Sequence, residues 1–477
     1  MSTEALLADL AILLGSAGVL RGPDCARYQT DHRRLYAGDA LCVVRPSSTE
    51  EVAAVVAACV RHGIALVPHG GNTSYCGGPT PHEGGQEVVL SLERMRKIRA
   101  TDPIGGTLTV EAGCTLHEVR QAAAAIHCQF PLSLGSEGTC QIGGNISTNA
   151  GGTQVLRHGM TRDLVVGLEV VLPDGRVLNQ LNRLRKDNTG YDVKQLFIGA
   201  EGTLGIITAA VVRILPQPAE SMTALIAVDG LAATLDLLLA ARQAFGTLIE
   251  TYEYMPAAAV ELGLRHFPDL VYPFADIPRA TVLMEVPLPS ALKGMKDALT
   301  HFLAMEIEAG RVQDAAIAQN LAQAESFWFL RENIPAAQTK EGASLKHDVS
   351  LPLDRLVEFE RRGEQLIAQL VPGGRSIGYG HAGDGNLHYN VSPPQHTKAG
   401  SAEEMAFLAC KDPLMRAVHD LVADLGGSFS AEHGIGRLKV PELCRYEDPV
   451  ALELMGEIKA LLDPRGLMNP GKVVPPQ

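Results

Sequence analysis

PHGGNTSYCGG, residues 68–78, follows the apolar run IALV and carries glycine at four of its eleven positions. Glycine reaches φ values and backbone approaches closed to other residues, so such a loop can turn successive N–H groups onto a phosphate. A plain flexible turn would use the same composition. Two later stretches shift the balance. PLSLGSEGTCQIGGNISTNAGG (131–152) is built mostly of Gly, Ser, Thr and Asn, and LRKDNTGYDVKQLFIGAEGTLGIIT (184–208) repeats the pattern, its GAEGTLG leading into a β-branched strand. So long a run of small polar residues in a well-filled domain suggests backbone lining a large, flat, polar ligand.

Around these loops, residues 40–216 alternate short apolar runs with Gly, Pro and Asp-Gly turns, the pattern of a mixed α+β domain. SSTEEVAAVVAACVRHG reads as a helix with Ser48 or Thr49 as cap and Gly63 as stop. Pro216 and Pro218 mark a boundary. Beyond it, apolar residues at helical spacing predict helices over 231–245, 291–305, 314–333, 353–370, 403–426 and 449–463. Strands are expected at 223–228, 247–255, 280–287 and 344–351, and in the stretch 380–391. The terminal PRGLMNPGKVVPPQ reads as an irregular tail.

A chain of 477 residues exceeds what one core fills, about 250–300 residues, so two or more domains are expected. Hydrophobic residues at 46% and charged residues at 20% are ordinary for a globular protein. A net charge of -13 without clustered cations argues against nucleic acid as partner. The nine cysteines are scattered with no C-x-x-C pair, which favours a reducing compartment over a disulfide framework. MSTEALLADLAILLGSAG lacks a basic start and reads as an amphipathic helix, not a signal peptide. No stretch has the length of a membrane span. A cytoplasmic location is expected.

GHAGDGNLHYNV (380–391) sets His381 and His388 on either side of Gly-Asp-Gly-Asn. If GDGN forms the turn, Ala382 faces Leu387 and His381 faces His388, with Cβ atoms about 4.5–5.5 Å apart. Parity then puts Asn390 on the same face. Two such imidazoles share a metal or are a hydrogen-bonded pair. SAEHGIG (430–436) offers a third ligand in Glu432, beside His433, and two imidazoles with a carboxylate form a catalytic-type metal site. Two other motifs are chance matches. GYGHAG (378–383) fits G-x-G-x-x-G but leads into a strand where a helix should open, and GLMNPGK (466–472) has Val473 where a P-loop needs a hydroxyl.

The ordered series PHGGNT, GSEGTCQIGGNISTNAGG, RKDNTGYD, FIGAEGTLGIIT, GHAGDGNLHYN, AEHGIG and NPGK resembles the FAD-linked oxidases of the vanillyl-alcohol oxidase fold. The resemblance spans nearly the whole chain. Within these it is most similar to the D-2-hydroxyglutarate dehydrogenase branch, with the D-lactate dehydrogenase and glycolate-oxidase subunit branch next. The resemblance implies an α+β protein: an N-terminal helical segment (1–39), a two-subdomain FAD-binding domain (40–217), a cap domain with an antiparallel sheet and the metal site (218–460), and a tail (461–477) returning to the FAD domain.

For the cofactor it implies contacts from Pro68, Gly70, Gly71, Asn72, Thr73, Ser74 and Gly77 in the first loop, with the pyrophosphate on 70–74. In the second, Gly135, Ser136, Gly138, Thr139, Gly143, Gly144, Asn145, Thr148, Asn149 and Gly152 contribute. Glu201, Gly202, Gly205, Ile206 and Ile207 follow, then Asn469 in the tail. Some relatives attach the flavin through a histidine where Asn72 stands here, and His69 is not at that position, so FAD is expected to be non-covalent.

By the same resemblance Glu432 joins His381 and His388 as ligand of one divalent metal, zinc ranking ahead of manganese and iron, and His433 is the general base. Asn390 is a catalytic and substrate-binding candidate, and Arg331 and Lys346 hold the distal carboxylate of a diacid. The activity implied is oxidation of a D-2-hydroxy diacid, D-2-hydroxyglutarate or D-malate, to the 2-oxoacid by hydride transfer to flavin. Pro335 replaces the family's threonine, which leaves the diacid's length open and keeps a D-lactate or glycolate dehydrogenase as the alternative. An electron-transfer flavoprotein or a quinone is the expected acceptor, and a homodimer the expected assembly. A colourless metallohydrolase could use the same His, His, Glu set, and a flavin-binding subunit without activity would keep the loops alone.

Overall fold

Ser48 starts the helix Thr49–His62 by accepting a hydrogen bond from the Glu51 N–H, and Gly63 ends it. Its apolar face, Val52, Val55, Val56 and Cys59, shares one core with Cys42, Val44, Leu66, Val88 and Leu90. Those are alternate residues of three parallel strands, Ala40–Val44, Glu87–Ser91 and Leu66–His69. The intervening Val43, Val67 and Val89 face the other way, onto Cys25 and Tyr28. This period-2 split is what strands buried on both faces require. The strand Leu66–His69 runs directly into the 70–78 loop.

These elements belong to a computed structural model that describes residues 3–288 and 295–475. Contacts divide the chain into two units: Met1–Gly152, Gly159–Gln217 and Glu432–Gln477 form the first, and Thr153–His158 with Pro218–Ala431 the second. The first also holds an antiparallel sheet, in the order Ile98–Asp102, Thr107–Glu111, Ile206–Arg213, Val165–Val171, Val177–Gln180. The expected cap boundary at 460 is displaced. Residues from Glu432 on are built into the first unit because the Glu201 carboxylate accepts from the Ile435 and Gly436 N–H groups, and Lys459 donates to the Thr203 carbonyl. Among the described residues, no helix is long and apolar enough to cross a membrane.

The second unit is built on an antiparallel sheet ordered Asp314–Ile317, Glu220–Val228, Ala280–Leu288, Thr251–Pro256, Arg375–His381, Asn386–Ser392, Asp348–Ser350. One face carries Tyr252, Tyr254, Met284, Leu387 and Tyr389 into a core with the helices Leu231–Phe245, Leu356–Leu370 and Lys411–Asp424. The other face packs Leu225, Leu283, Ile377 and Tyr379 against Ala257–His266, Leu321–Glu332 and Ile334–Glu341.

Several expected elements change here. The helix expected over 314–333 is a strand, Asp314–Ile317, then a helix Leu321–Glu332, because Asn320 caps the Gln323 N–H and the DAAI run pairs with 224–227. The one expected over 403–426 is two, Ala402–Ala409 and Lys411–Asp424. Pro413 has no N–H to give the carbonyl four residues back, so it fits only in a first turn. The strand expected at 247–255 begins at Thr251, and in 344–351 only Asp348–Ser350 forms strand. The helix expected at 291–305 starts outside the described residues and is seen as Met295–Glu308.

Candidate active site

The hairpin Arg375–Ser392 pairs His381 with Asn386 and Tyr379 with His388. The expected direct opposition of the two histidines is therefore a two-residue misregister. The turn is Ala382–Gly385, not GDGN: Gly385 takes φ +90, and a Cβ there would stand 2.2 Å from the Leu351 carbonyl oxygen. Asn386 goes back into the strand, where its side chain donates to Asp348 Oδ1 at 3.0 Å and to the Val349 carbonyl at 2.9 Å. A two-residue shift preserves the face, so His381 and His388 are diagonal neighbours with ring centroids 5.5 Å apart.

The two flanking strands add polar groups to that face. Tyr254 pairs with Gly380, which sets Glu253 opposite His381. Glu253 is buried, its Oε1 is 2.6 Å from His381 Nδ1, and its Oε2 accepts from Arg331 Nε at 2.6 Å. Burial opposes its charge, but Arg331 and His381 outweigh burial and hold the carboxyl at about 2. The Arg331 guanidinium lies over the Tyr379 ring, 5.0 Å from its centroid. On the other side, Asp348 pairs directly with His388, its Oδ1 3.7 Å from the ring Nδ1.

Asn390 shares the face and is buried. Its Oδ1 accepts from the His347 N–H and its Nδ2 donates to Gln338 Oε1 at 2.9 Å. Lys346 is exposed; the pairs Leu345–Val391 and Asp348–His388 put it in register with Asn390. Pro335 sits in the first turn of the helix Ile334–Glu341, and Thr339 spends its hydroxyl on the Pro335 carbonyl.

Glu432 and His433 follow directly on Ala431, whose N–H donates to the Asp348 carbonyl. Within the second unit, His381 and His388 present two imidazoles from one face of the hairpin, a pair that one divalent cation can bridge. In the first unit, the His433 ring rests against Tyr75, centroids 4.5 Å apart.

The glycine loops of the first unit meet backbone to backbone. A Cβ on Gly71 would lie 2.1 Å from the Thr139 carbonyl oxygen, and Gly70 faces Gly144. A Cβ on Gly144, or on the exposed Gly135 and Gly138, would meet nothing within 4 Å. Asn72, Asn149, Glu201 and Asn469 hold positive φ, a conformation uncommon outside glycine and concentrated at functional sites. Buried acceptors Asn145 Oδ1, Gln141 Oε1 and Asn469 Oδ1 have no partner among the described residues, which suits the hydroxyl and imide donors of FAD.

Some expected contacts have other duties. The Glu201 carboxylate holds the His433 loop at Ile435 and Gly436, and its carbonyl accepts from Asn469 Nδ2 at 2.8 Å. Ile206 and Ile207 are core residues of the strand Ile206–Arg213. The Asn72 side chain donates to the Thr30 carbonyl. His69 is buried against the edge of Tyr28. Glu253, Asp348 and Gln338 were invisible as site residues. Glu253 lies between two tyrosines in ETYEYM, where alternation alone reads it as facing solvent.

Two family models match, the FAD binding domain over 40–180 and the FAD linked oxidases C-terminal domain over 217–473. Fold and site define an FAD-linked oxidoreductase of the vanillyl-alcohol oxidase type. The fold is shared with p-cresol methylhydroxylase (TM-score 0.73, 16% identity, 98% of this chain and 96% of that one). It is also shared with 4-ethylphenol oxidase from Gulosibacter chungangensis (TM-score 0.72, 18% identity, 99% and 97%). In sequence the chain is 40% identical over 446 residues to the mitochondrial D-2-hydroxyglutarate dehydrogenase of Bos taurus, covering 93% of this chain and 79% of that protein. It is 37% identical over 464 residues to a probable enzyme of that name from Oryza sativa subsp. japonica (97% and 80%). A D-2-hydroxyglutarate–pyruvate transhydrogenase of Saccharomyces cerevisiae is 33% identical (94% and 90%). The chain belongs to the D-2-hydroxyglutarate dehydrogenase family of FAD-linked oxidases.

Proposed function

We propose that the chain oxidises a D-2-hydroxy diacid, D-2-hydroxyglutarate or D-malate, to its 2-oxoacid, with His381, His388 and Glu432 holding a divalent metal. The observation that carries this reading is the pair of imidazoles on one face of the second unit's sheet, His381 and His388 with ring centroids 5.5 Å apart, in a chain whose relatives bear that dehydrogenase name. FAD, held without a covalent bond, supplies the hydride acceptor, and the cation supplies Lewis acidity at the substrate hydroxyl. His433 takes the hydroxyl proton as general base, through a ring nitrogen. Arg331 and Lys346 receive the distal carboxylate, Arg331 offering a planar fork that pairs carboxylates two-pronged. Asn390, fixed at both ends of its amide by Gln338 and His347, orients the substrate. The donor set of two imidazoles and a carboxylate suits zinc first, then manganese or iron.

Pro335 favours a second reading, a D-lactate or glycolate dehydrogenase. It offers neither hydroxyl nor N–H to a distal carboxylate. The test is an anaerobic screen of D- and L-hydroxyacids for loss of the oxidised flavin spectrum, with and without chelator, on the native protein and His433→Ala. Diacids of D configuration should bleach the flavin, chelator should abolish bleaching, and the variant should slow it by about 10²–10⁴ with unchanged flavin content. Faster bleaching by D-lactate moves the assignment to the second reading, and indifference to chelator sinks the metal. For the acceptor we propose an electron-transfer flavoprotein ahead of a quinone, and for the assembly, from the family resemblance, a homodimer.

A further inference from the structure

We propose that Glu253 is the positioning residue of the metal group, a buried carboxylate that decides which nitrogen His381 presents and ties that histidine to Arg331. The inference rests on the reading in which His381 is a metal ligand. Each Glu253 oxygen has one partner at 2.6 Å: Oε1 faces His381 Nδ1 and Oε2 accepts from Arg331 Nε. An acceptor at Nδ1 keeps the proton there and leaves Nε2 as the coordinating lone pair. Both partners need an oxygen, and only a carboxylate has two. An amide at 253 has one oxygen for two donors, so its NH2 must oppose either the Arg331 Nε–H or the His381 Nδ1–H. The guanidinium, with its charge and its place over Tyr379, is the stronger competitor for that oxygen. The histidine is then left facing a donor, in the tautomer that cannot ligate through Nε2.

The test measures zinc affinity of the FAD-loaded full-length protein against a fluorescent chelator, with flavin content as control. Glu253→Gln should weaken zinc about 10–100-fold without loss of flavin. Adding Arg331→Met removes the competitor and frees the amide oxygen for His381, so the double variant should regain part of the lost affinity. Native affinity in Glu253→Gln overturns the proposal, as does a double variant no tighter than the single one. If Glu253→Gln does not fold, the double variant, which strands no cation, decides alone: affinity between native and His381→Ala supports the proposal, and native affinity overturns it. If His381→Ala itself binds zinc like the native protein, the ligand assignment has failed and not only the role of Glu253.

Discussion

Burial drives a carboxyl up and an imidazole down, and two buried side chains show how neighbours decide the outcome. Glu253 has two cationic partners and stays ionised at about 2. For His69 burial wins: the Gly70 backbone and the Glu93 charge pull the other way but leave it held down at about 4, and neither ring nitrogen has a side-chain partner among the described residues. His69 is thus neutral when folded at pH 7. As pH falls, the unfolded chain takes up the proton near 6.5 while the native state waits until about 4, so between those values the unfolded state binds more protons and stability declines. The loss amounts to about 3 kcal/mol by pH 4. Denaturant titrations at pH 7.5, 5.5 and 4.5 should show that decline in the native protein and a shallower one in His69→Phe, whose ring can replace the contact with Tyr28. Equal slopes would mean that His69 does not resist protonation.

At the scale of elements, the glycine loops make separable demands. Gly71→Ala would force its Cβ into the Thr139 carbonyl, whereas Gly144→Ala adds a methyl that meets nothing within 4 Å, in the short helix Ile142–Ser147. Gly71→Ala should therefore lower the thermal midpoint of the apoprotein. Gly144→Ala should leave that midpoint near native yet weaken FAD, as read by flavin fluorescence on titration. A Gly144→Ala protein that binds FAD normally would remove that glycine from the cofactor site.

These loops were legible in sequence because glycine density leaves few alternatives, and the capped helix after Ser48 because its signals are local. The histidine hairpin was legible in face but not in register, since both turns satisfy the same spacing and only the Leu351 carbonyl against Gly385 selects one. Glu253 was hidden because its partners lie 78 and 128 residues away, and no local pattern marks a strand carboxylate that will be buried. The return of the chain at Glu432 was hidden for the same reason, since it depends on Glu201.

At the scale of the molecule, each unit has its own sheets and its own core, so two unfolding transitions are expected. Ligand that binds only the native first unit should raise only that unit's transition. FAD at 100-fold its dissociation constant contributes about 2.7 kcal/mol. Calorimetry of apoprotein and FAD-loaded protein should show one transition moving and the other staying; a joint shift would mean that the units unfold together.

The first unit is discontinuous, made of residues before 218 and after 431. On the ribosome, Pro218–Ala431 emerges whole while its companion still lacks the segment 432–477. Asn469, which steadies Glu201, is translated only after the whole of that inserted unit. Bracing of the Glu201 turn is thereby deferred until the inserted unit has been translated, and a nonsense codon between Pro218 and Glu432 yields a product that cannot form it, however well its inserted part has folded.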